Sequence, residues 1–226
     1  MTIVPSFSGR ARGVARRGFT LLEAMLALII IAVGVLAFVD AQAAFTRSNN
    51  WSSHAATGML LANEVREMTT RFPRHDRVTG LSLQGSGSGA SVVGWGPETG
   101  ETDLDDLDDL DDLDGMIFGS GGQFAGPIDA FGGIVPQTDL DGVVVTDNGQ
   151  PLPLVAWRQR VTVEKVDPYN FSQTRAVAYT QAATSQVPAI GVDAFPLRIT
   201  VVVEHQESNS TQWDEVTRLT WIVPAQ

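Results

Sequence analysis

The chain has no cysteine among its 226 residues. A protein outside the cytoplasm could otherwise close its loops with disulfides; here the loops need another restraint or stay mobile. Histidine is scarce too. His54, His75 and His205 fall in a predicted helix, a loop and a strand end. No two of them have metal-ligand spacing, so they read as lone surface side chains. Basic residues number 15 against 26 acidic ones, for a net charge of −11. Four of the basic residues, Arg10, Arg12, Arg16 and Arg17, lie in the first 18 positions, which hold no acid; the remainder carries 11 against 26, a net −15. That balance argues against nucleic-acid binding through net charge. Proline is missing from residues 19–72, so nothing of that kind interrupts a helix there. Catalytic signatures are missing as well. Gly85-Ser86-Gly87-Ser88-Gly89 is no nucleophile elbow, and no Lys-Ser/Thr follows the glycine-rich stretch to make a phosphate loop. The many carboxylates sit in flexible acidic sequence, a poor setting for preorganised acid–base chemistry. The residues point away from an enzyme.

What is present begins with an apolar run. From residue 19 to residue 39 the only ionisable side chain is Glu23. About twenty residues at ~1.5 Å each suffice to cross ~30 Å of hydrocarbon. The arginines before the run predict a cytoplasmic N-terminus and an external domain. Glu23 is the anomaly: a carboxylate deep in lipid costs on the order of 2.5–3.5 kcal/mol and is a functional candidate by default. Were the chain cut before Phe19, Glu23 would stand in the first turn of a new helix. There the helix dipole favours it and a free amine is close. Three simpler readings compete. A plain transmembrane anchor leaves Gly-Phe-Thr and Glu23 unexplained. A secretory signal cut after Ala41-Gln42-Ala43 has too long an apolar core. A twin-arginine signal is the third, since Arg16-Arg17-Gly18-Phe19-Thr20 looks like one.

The string Gly18-Phe19-Thr20-Leu21-Leu22-Glu23-Ala24-Met25-Leu26-Ala27-Leu28 resembles the processing signal of type IV prepilins and type II secretion pseudopilins. The resemblance implies cleavage between Gly18 and Phe19 by a membrane prepilin peptidase and N-methylation of Phe19. It implies that Glu23, fifth in the mature chain, neutralises the N-terminal amine of a neighbouring subunit during assembly. It implies as partners the other pilin or pseudopilin subunits and an inner-membrane assembly platform. The wording around Leu22-Glu23-Ala24-Met25, with residues 60–68, looks closer to minor pilins of V type or I-type pseudopilins than to major pilins. Glu23 also speaks against the tip subunit of pseudopili, which typically lacks this glutamate. Asp40 replaces the family's usual proline after the apolar run and leaves a helix bend there open.

Beyond the run, Ala55, Met59, Ala62, Val65, Met68 and Phe72 recur at spacings of three and four, one face of a helix ending before Pro73. The stretch at residues 49–53 is its weak point by propensity. Arg71, Arg74, His75 and Arg77 form the single basic cluster after the leader. It reads as a solvated loop or as a contact for an acidic partner or DNA. Residues 83–100 have linker composition. Residues 103–114 repeat Asp-Leu-Asp, with Leu104, Leu107, Leu110 and Leu113 every third position. Such leucines drift around an α-helix but stay on one side of a 3₁₀ or polyproline helix. Eight aspartates in twelve residues repel one another, which predicts an extended or disordered segment. The two readings are a solvated acidic loop and a calcium site, with Asp105, Asp108, Asp109, Asp111, Asp112 and Asp114 as candidate ligands. An EF-hand register fails, since it would place Leu110 and Gly121 at ligand positions.

Later in the chain the period becomes two. Val143-Val144-Val145 reads as a short strand and Asp147-Asn148-Gly149 as a turn. Val155, Trp157, Val161 and Val163 alternate with polar residues, as do Leu197, Ile199, Val201 and Val203, and then Leu219, Trp221 and Val223. Residues 175–181 are a further candidate strand. The expected fold is α+β and pilin-like: a long N-terminal helix, an antiparallel C-terminal sheet and a Gly-rich acidic insert. The expected divisions are a leader at 1–18, a membrane or filament-core helix at 19–40, an amphipathic helix at 41–72, variable loops at 73–150 and the sheet at 151–226. The expected role is a structural subunit, first single-pass in the inner membrane, then in a periplasmic pseudopilus or a surface pilus. No nucleic-acid partner and no cofactor other than calcium are expected. The competing class is a membrane-anchored binding module for calcium, for adhesion or for DNA uptake.

Overall fold

The computed structural model describes residues 20–85 and 90–225. The chain divides into two compact units, Met1–Asn50 and Trp51–Gln226. Helix α1 (Leu21–Thr69, 49 residues) begins in the first and ends in the second. Residues 49–53, poor helix formers by propensity, are helical all the same.

From residue 24 to residue 39 α1 is apolar all round. An 18-residue stretch reaches a mean hydropathy of 2.7 with none of it buried. The consecutive Leu28, Ile29, Ile30 and Ile31 point to all sides of the axis, and each leaves more than half of its surface uncovered. A helix of this kind is stable only where lipid or other apolar helices surround it. Its length and composition fit a membrane anchor.

In the second unit the elements follow in the order β1 (Ser82–Gln84), β2 (Ser91–Val93), β3 (Ile117–Gly119), β4 (Thr146–Asp147), β5 (Gln150–Pro151), β6 (Trp157–Asp167), β7 (Asn170–Thr174), β8 (Leu197–His205) and β9 (Asp214–Val223). The main sheet is antiparallel, ordered β3-β6-β8-β9, with β7 pairing the end of β6. Its register lines up Val161 with Val201 and Leu219, and Val163 with Ile199 and Trp221. Cross-strand rows of this kind make one apolar face. The C-terminal part of α1 covers it with Leu61, Ala62, Val65 and Met68. At Gly58 the helix lies close against the sheet: a Cβ there would stand 2.9 Å from Val216 Cγ1 and 3.1 Å from Thr217 Oγ1. Gln159 is the polar tie in this core. It is fully buried; its Oε1 accepts from Ile128 N at 2.8 Å, and its Nε2 donates to Leu61 O at 2.8 Å and Ile128 O at 3.0 Å. One amide thus joins helix, loop and strand with every bond satisfied.

The end of α1 tightens as the sequence leads one to expect. Thr70, Arg71 and Phe72 donate to Glu67, Met68 and Thr69 three residues back, and Pro73 follows. Such i→i−3 bonds take up carbonyls that have no partner at a helix end. The loop at residues 129–131 is strapped to this end: Glu64 Oε2 accepts from Ala130 N at 2.7 Å, and Arg71 donates to Ala130 O and stacks over Phe131.

Several expectations need correction. The buried face of α1 runs through Gly58, Leu61, Ala62, Val65 and Met68, whereas Met59 is half exposed. Both stripes have helical spacing, and contact with β9 selects the one containing a glycine. Val143-Val144-Val145 is not a strand; the hairpin strands are β4 and β5, joined through Asn148 (φ 50°) and Gly149 (φ 80°). Two left-handed residues there match the twist of the strands. Residues 175–181 are irregular, and the strand lies just before them, in β7. β3 adds to the sheet from a glycine-rich stretch with no alternation to announce it. The acidic repeat is neither extended nor disordered. It is a chain of tight turns whose Leu107, Leu110 and Leu113 belong to the core.

Candidate functional site

Two places concentrate chemistry. The first is the start of α1. Gly18 and Phe19, the expected processing residues, lie outside the described residues. Thr20 is the cap: its Oγ1 accepts from Glu23 N at 3.3 Å, and its carbonyl accepts from Ala24 N at 3.1 Å. Thr20-Leu21-Leu22-Glu23 is therefore the Thr-x-x-Glu pattern of a capping box, with Glu23 in the first turn, where the helix dipole favours a carboxylate. The four-residue pattern was readable in the sequence, and it gives Thr20 a role of its own. Among the described residues no basic side chain pairs with Glu23.

The second place is the acidic repeat with the loop before it. The leucines pin it: Leu107, Leu110 and Leu113 are buried, Leu110 N donates to Pro73 O at 3.0 Å, and Gly115 N donates to Val161 O at 3.1 Å. The turns are i→i−3 bonds from Asp106 to Asp103, from Asp114 to Asp111 and from Met116 to Leu113. A period of three keeps the leucines on one side of such turns. The aspartates between them organise the backbone. Asp109 Oδ1 accepts from Asp111 N and Asp112 N at 2.9 and 3.1 Å; Asp112 Oδ2 accepts from Asp108 N and Asp109 N at 3.1 and 3.2 Å. Glu101 Oε2 accepts from Glu98 N at 2.7 Å.

Six aspartates were candidate ligands. The structure brings Asp108, Asp109 and Asp112 together and leaves the other three apart. Asp111 faces His75 Nδ1 at 2.7 Å and Gly96 N at 3.1 Å; Asp114 accepts from Trp95 Nε1 at 3.2 Å and Val163 N at 3.0 Å; Asp105 is exposed. Two glutamates that carry no repeat signature join the group. One oxygen each of Glu98, Asp109 and Asp112 lie within 4.8 Å of one another, and so do oxygens of Glu101, Asp108 and Asp112. Burial pushes the pKa values of Asp109 and Glu98 up, with neighbouring carboxylates adding to both. Burial also lifts Asp112 to about 6, against the pull of the Asp109 and Asp108 amides, and it raises Asp108.

The histidines are not lone surface groups. His75 is buried on Asp111. His54 and His205 stack at 4.2 Å, and His205 also meets Trp157 at 4.6 Å. Burial lowers the pKa of His205, and His54 beside it lowers it further. The Arg71–Arg77 cluster lines a cavity of about 500 Å³ together with Asp193. Its polar groups are largely committed, Arg74 to Phe195 O at 2.8 Å, Arg71 to Ala130 O and His75 to Asp111. Lys165 is a buried charge that no motif announces. It donates to Val177 O and to Val192 O (2.6 Å), 5.3 Å from the centre of the Phe195 ring. Burial pulls it down to about 8, partly offset by Asp193 and Asp111.

No curated protein and no solved structure matches the chain. A family match does exist, over residues 14–39, to the prokaryotic N-terminal methylation motif. It spans the bond between Gly18 and Phe19, the Thr20 cap, Glu23 and the uncovered apolar helix. The chain thus carries the N-terminal methylation motif that is the signature of type IV prepilin- and pseudopilin-like proteins.

Proposed function

We propose that this protein is a structural subunit, not an enzyme: a prepilin cut between Gly18 and Phe19, methylated on Phe19, and built as a minor subunit into a type IV pilus or a type II secretion pseudopilus. The observation that carries the reading is the methylation motif ending in an apolar helix that the chain itself leaves bare. Before assembly that helix lies in the inner membrane, with the arginines on the cytoplasmic side and residues 51–226 in the periplasm. Its partners are a prepilin peptidase, an assembly platform and sister subunits. During assembly the helix leaves lipid for a core of like helices. Glu23, held in the first turn by the Thr20 cap, then meets the methylated amine of a neighbour in a low-dielectric setting, where an unpaired charge is costly.

N-terminal sequencing of the chain from membranes of peptidase-competent cells tests the processing step. Methyl-Phe19 is expected; a start at Met1 or Ala44 overturns it. For assembly, Glu23→Ala should be cleaved normally yet be missing from sheared or affinity-captured filaments. Normal incorporation of that variant would sink the proposed role of Glu23.

A further inference from the structure

We propose that Glu98, Glu101, Asp108, Asp109 and Asp112 form a binding site for one hard divalent cation of the calcium class, which clamps the glycine-rich loop to the acidic repeat. The inference goes beyond the role of the helix and does not depend on it. Crowded carboxylates alone would not carry it, since acidic surfaces are common without ions. The decisive observation is how the buried ones are used. Asp109 and Asp112 are both fully buried. Each spends one oxygen on two backbone N–H groups, and the other oxygen, Asp109 Oδ2 or Asp112 Oδ1, has no hydrogen-bond partner. Glu98 repeats the pattern: Oε1 accepts from Thr79 Oγ1 at 3.2 Å, and Oε2 is buried without a partner. No lysine, arginine or histidine among the described residues forms a salt bridge to any of the five carboxylates. Buried, unpaired carboxylate oxygens are expensive, and the fold has oriented them with four backbone amides rather than turned them to water.

The geometry selects the class of ion. Oxygens bound to one calcium at 2.3–2.6 Å lie no more than ~5 Å apart, and the two overlapping triads, which share Asp112, keep theirs within 4.8 Å. Magnesium, bound at 2.0–2.1 Å and reluctant to shed water, suits an all-protein acidic cluster less well. No histidine or cysteine is in the set, which disfavours zinc. The consequence is structural. Glu98 and Glu101 belong to the loop that enters the repeat, and Asp108, Asp109 and Asp112 stand between leucines of the core. A shared ion would cross-link them in a chain that has no disulfide.

The test uses the full chain in detergent, stripped with chelator and titrated with CaCl2. A saturable one-to-one uptake is expected, with a Kd in the ~10⁻⁶ to 10⁻³ M range of calcium sites. A rise in Tm and a change in the emission of Trp95, which bonds to Asp114 next to the site, should accompany it. MgCl2 at the same concentration should give less than half the Tm shift. Asp109→Asn and Glu98→Gln should each weaken uptake at least tenfold, and Asp105→Asn should leave it unchanged. Asp109→Asn keeps the size and shape of the buried side chain and should fold without metal; if it does not, Glu98→Gln, at a half-buried position, decides. Absence of saturable calcium uptake by the stripped wild-type chain overturns the proposal, and so does undiminished uptake by Glu98→Gln.

Discussion

Residues 24–39 and residues 103–114 depart from the usual rule of burial in opposite senses. The first region leaves leucine, isoleucine and phenylalanine uncovered on every side of α1; the second places Asp109, Asp111 and Asp112 out of water beside Leu110 and Leu113. Each region is incomplete within a single chain in water. An apolar helix bare all round asks for lipid or for other helices, and carboxylate oxygens buried without partners are costly until something satisfies them. What separates them is how each holds its shape. The helix, once lipid or other helices surround it, closes its own backbone bonds and starts at the Thr20 cap. The repeat, a run of turns, depends on the core beneath its leucines and on aspartates that bond its own amides.

The largest expected effect tests this difference. Leu110→Ala should cost about 2–5 kcal/mol of the stability of residues 51–226, because a fully buried leucine leaves a cavity. Ile30→Ala should leave thermal unfolding of those residues, followed by tryptophan emission in detergent, within roughly 0.5 kcal/mol of wild type. Equal losses would break the comparison.

A second test contrasts the acidic cluster with a buried charge of opposite sign that the protein satisfies itself. Lys165 titrates near 8 in the folded chain, below its ordinary value of 10.5. Below pH 8 the amine is charged in both states. Between about 8 and 10.4 the unfolded chain holds the extra proton, so stability rises with pH across that window, by up to roughly 3 kcal/mol from this group. Lys165→Met should flatten the rise in denaturant midpoint between pH 8 and pH 10. An unchanged slope would show that Lys165 is not its source.

Gln159→Leu removes a fully satisfied amide and leaves Ile128 N without its acceptor. Urea unfolding should show a loss of about 1–3 kcal/mol. A neutral result would mean that the tie between α1, the loop and β6 is not needed. The smallest effect is at the helix start: Thr20→Ala should cost about 1 kcal/mol of local helix stability, seen as faster amide exchange at Glu23 in micelles with the rest of α1 unchanged.

How much was legible follows from the range of the interactions. The apolar run, the alternation in β6, β8 and β9 and the Asn148-Gly149 turn are written in near neighbours, and they were readable. The choice between Met59 and Leu61 on α1 was not, because periodicity defines candidate stripes while Val216 and Thr217 across the gap decide which is buried. The repeat was misleading for a related reason. Eight aspartates in a row of twelve predict repulsion and solvent, and the leucine period of three was the weaker but truer sign. Glu98 and Glu101 had no signature, since only the path of the loop brings them to Asp112.

By itself, then, the sequence determined the N-terminal methylation motif and the apolar run that follows it. Gly18, Phe19, Thr20 and Glu23 fall within one short contiguous motif, and the hydropathy of α1 needs no partner in the chain to be read. Tertiary structure alone decided which carboxylates meet. Their burial and their unpaired oxygens arise from contacts between segments that separate loops carry, and the leucines of the repeat make those contacts favourable by leaving water for the core.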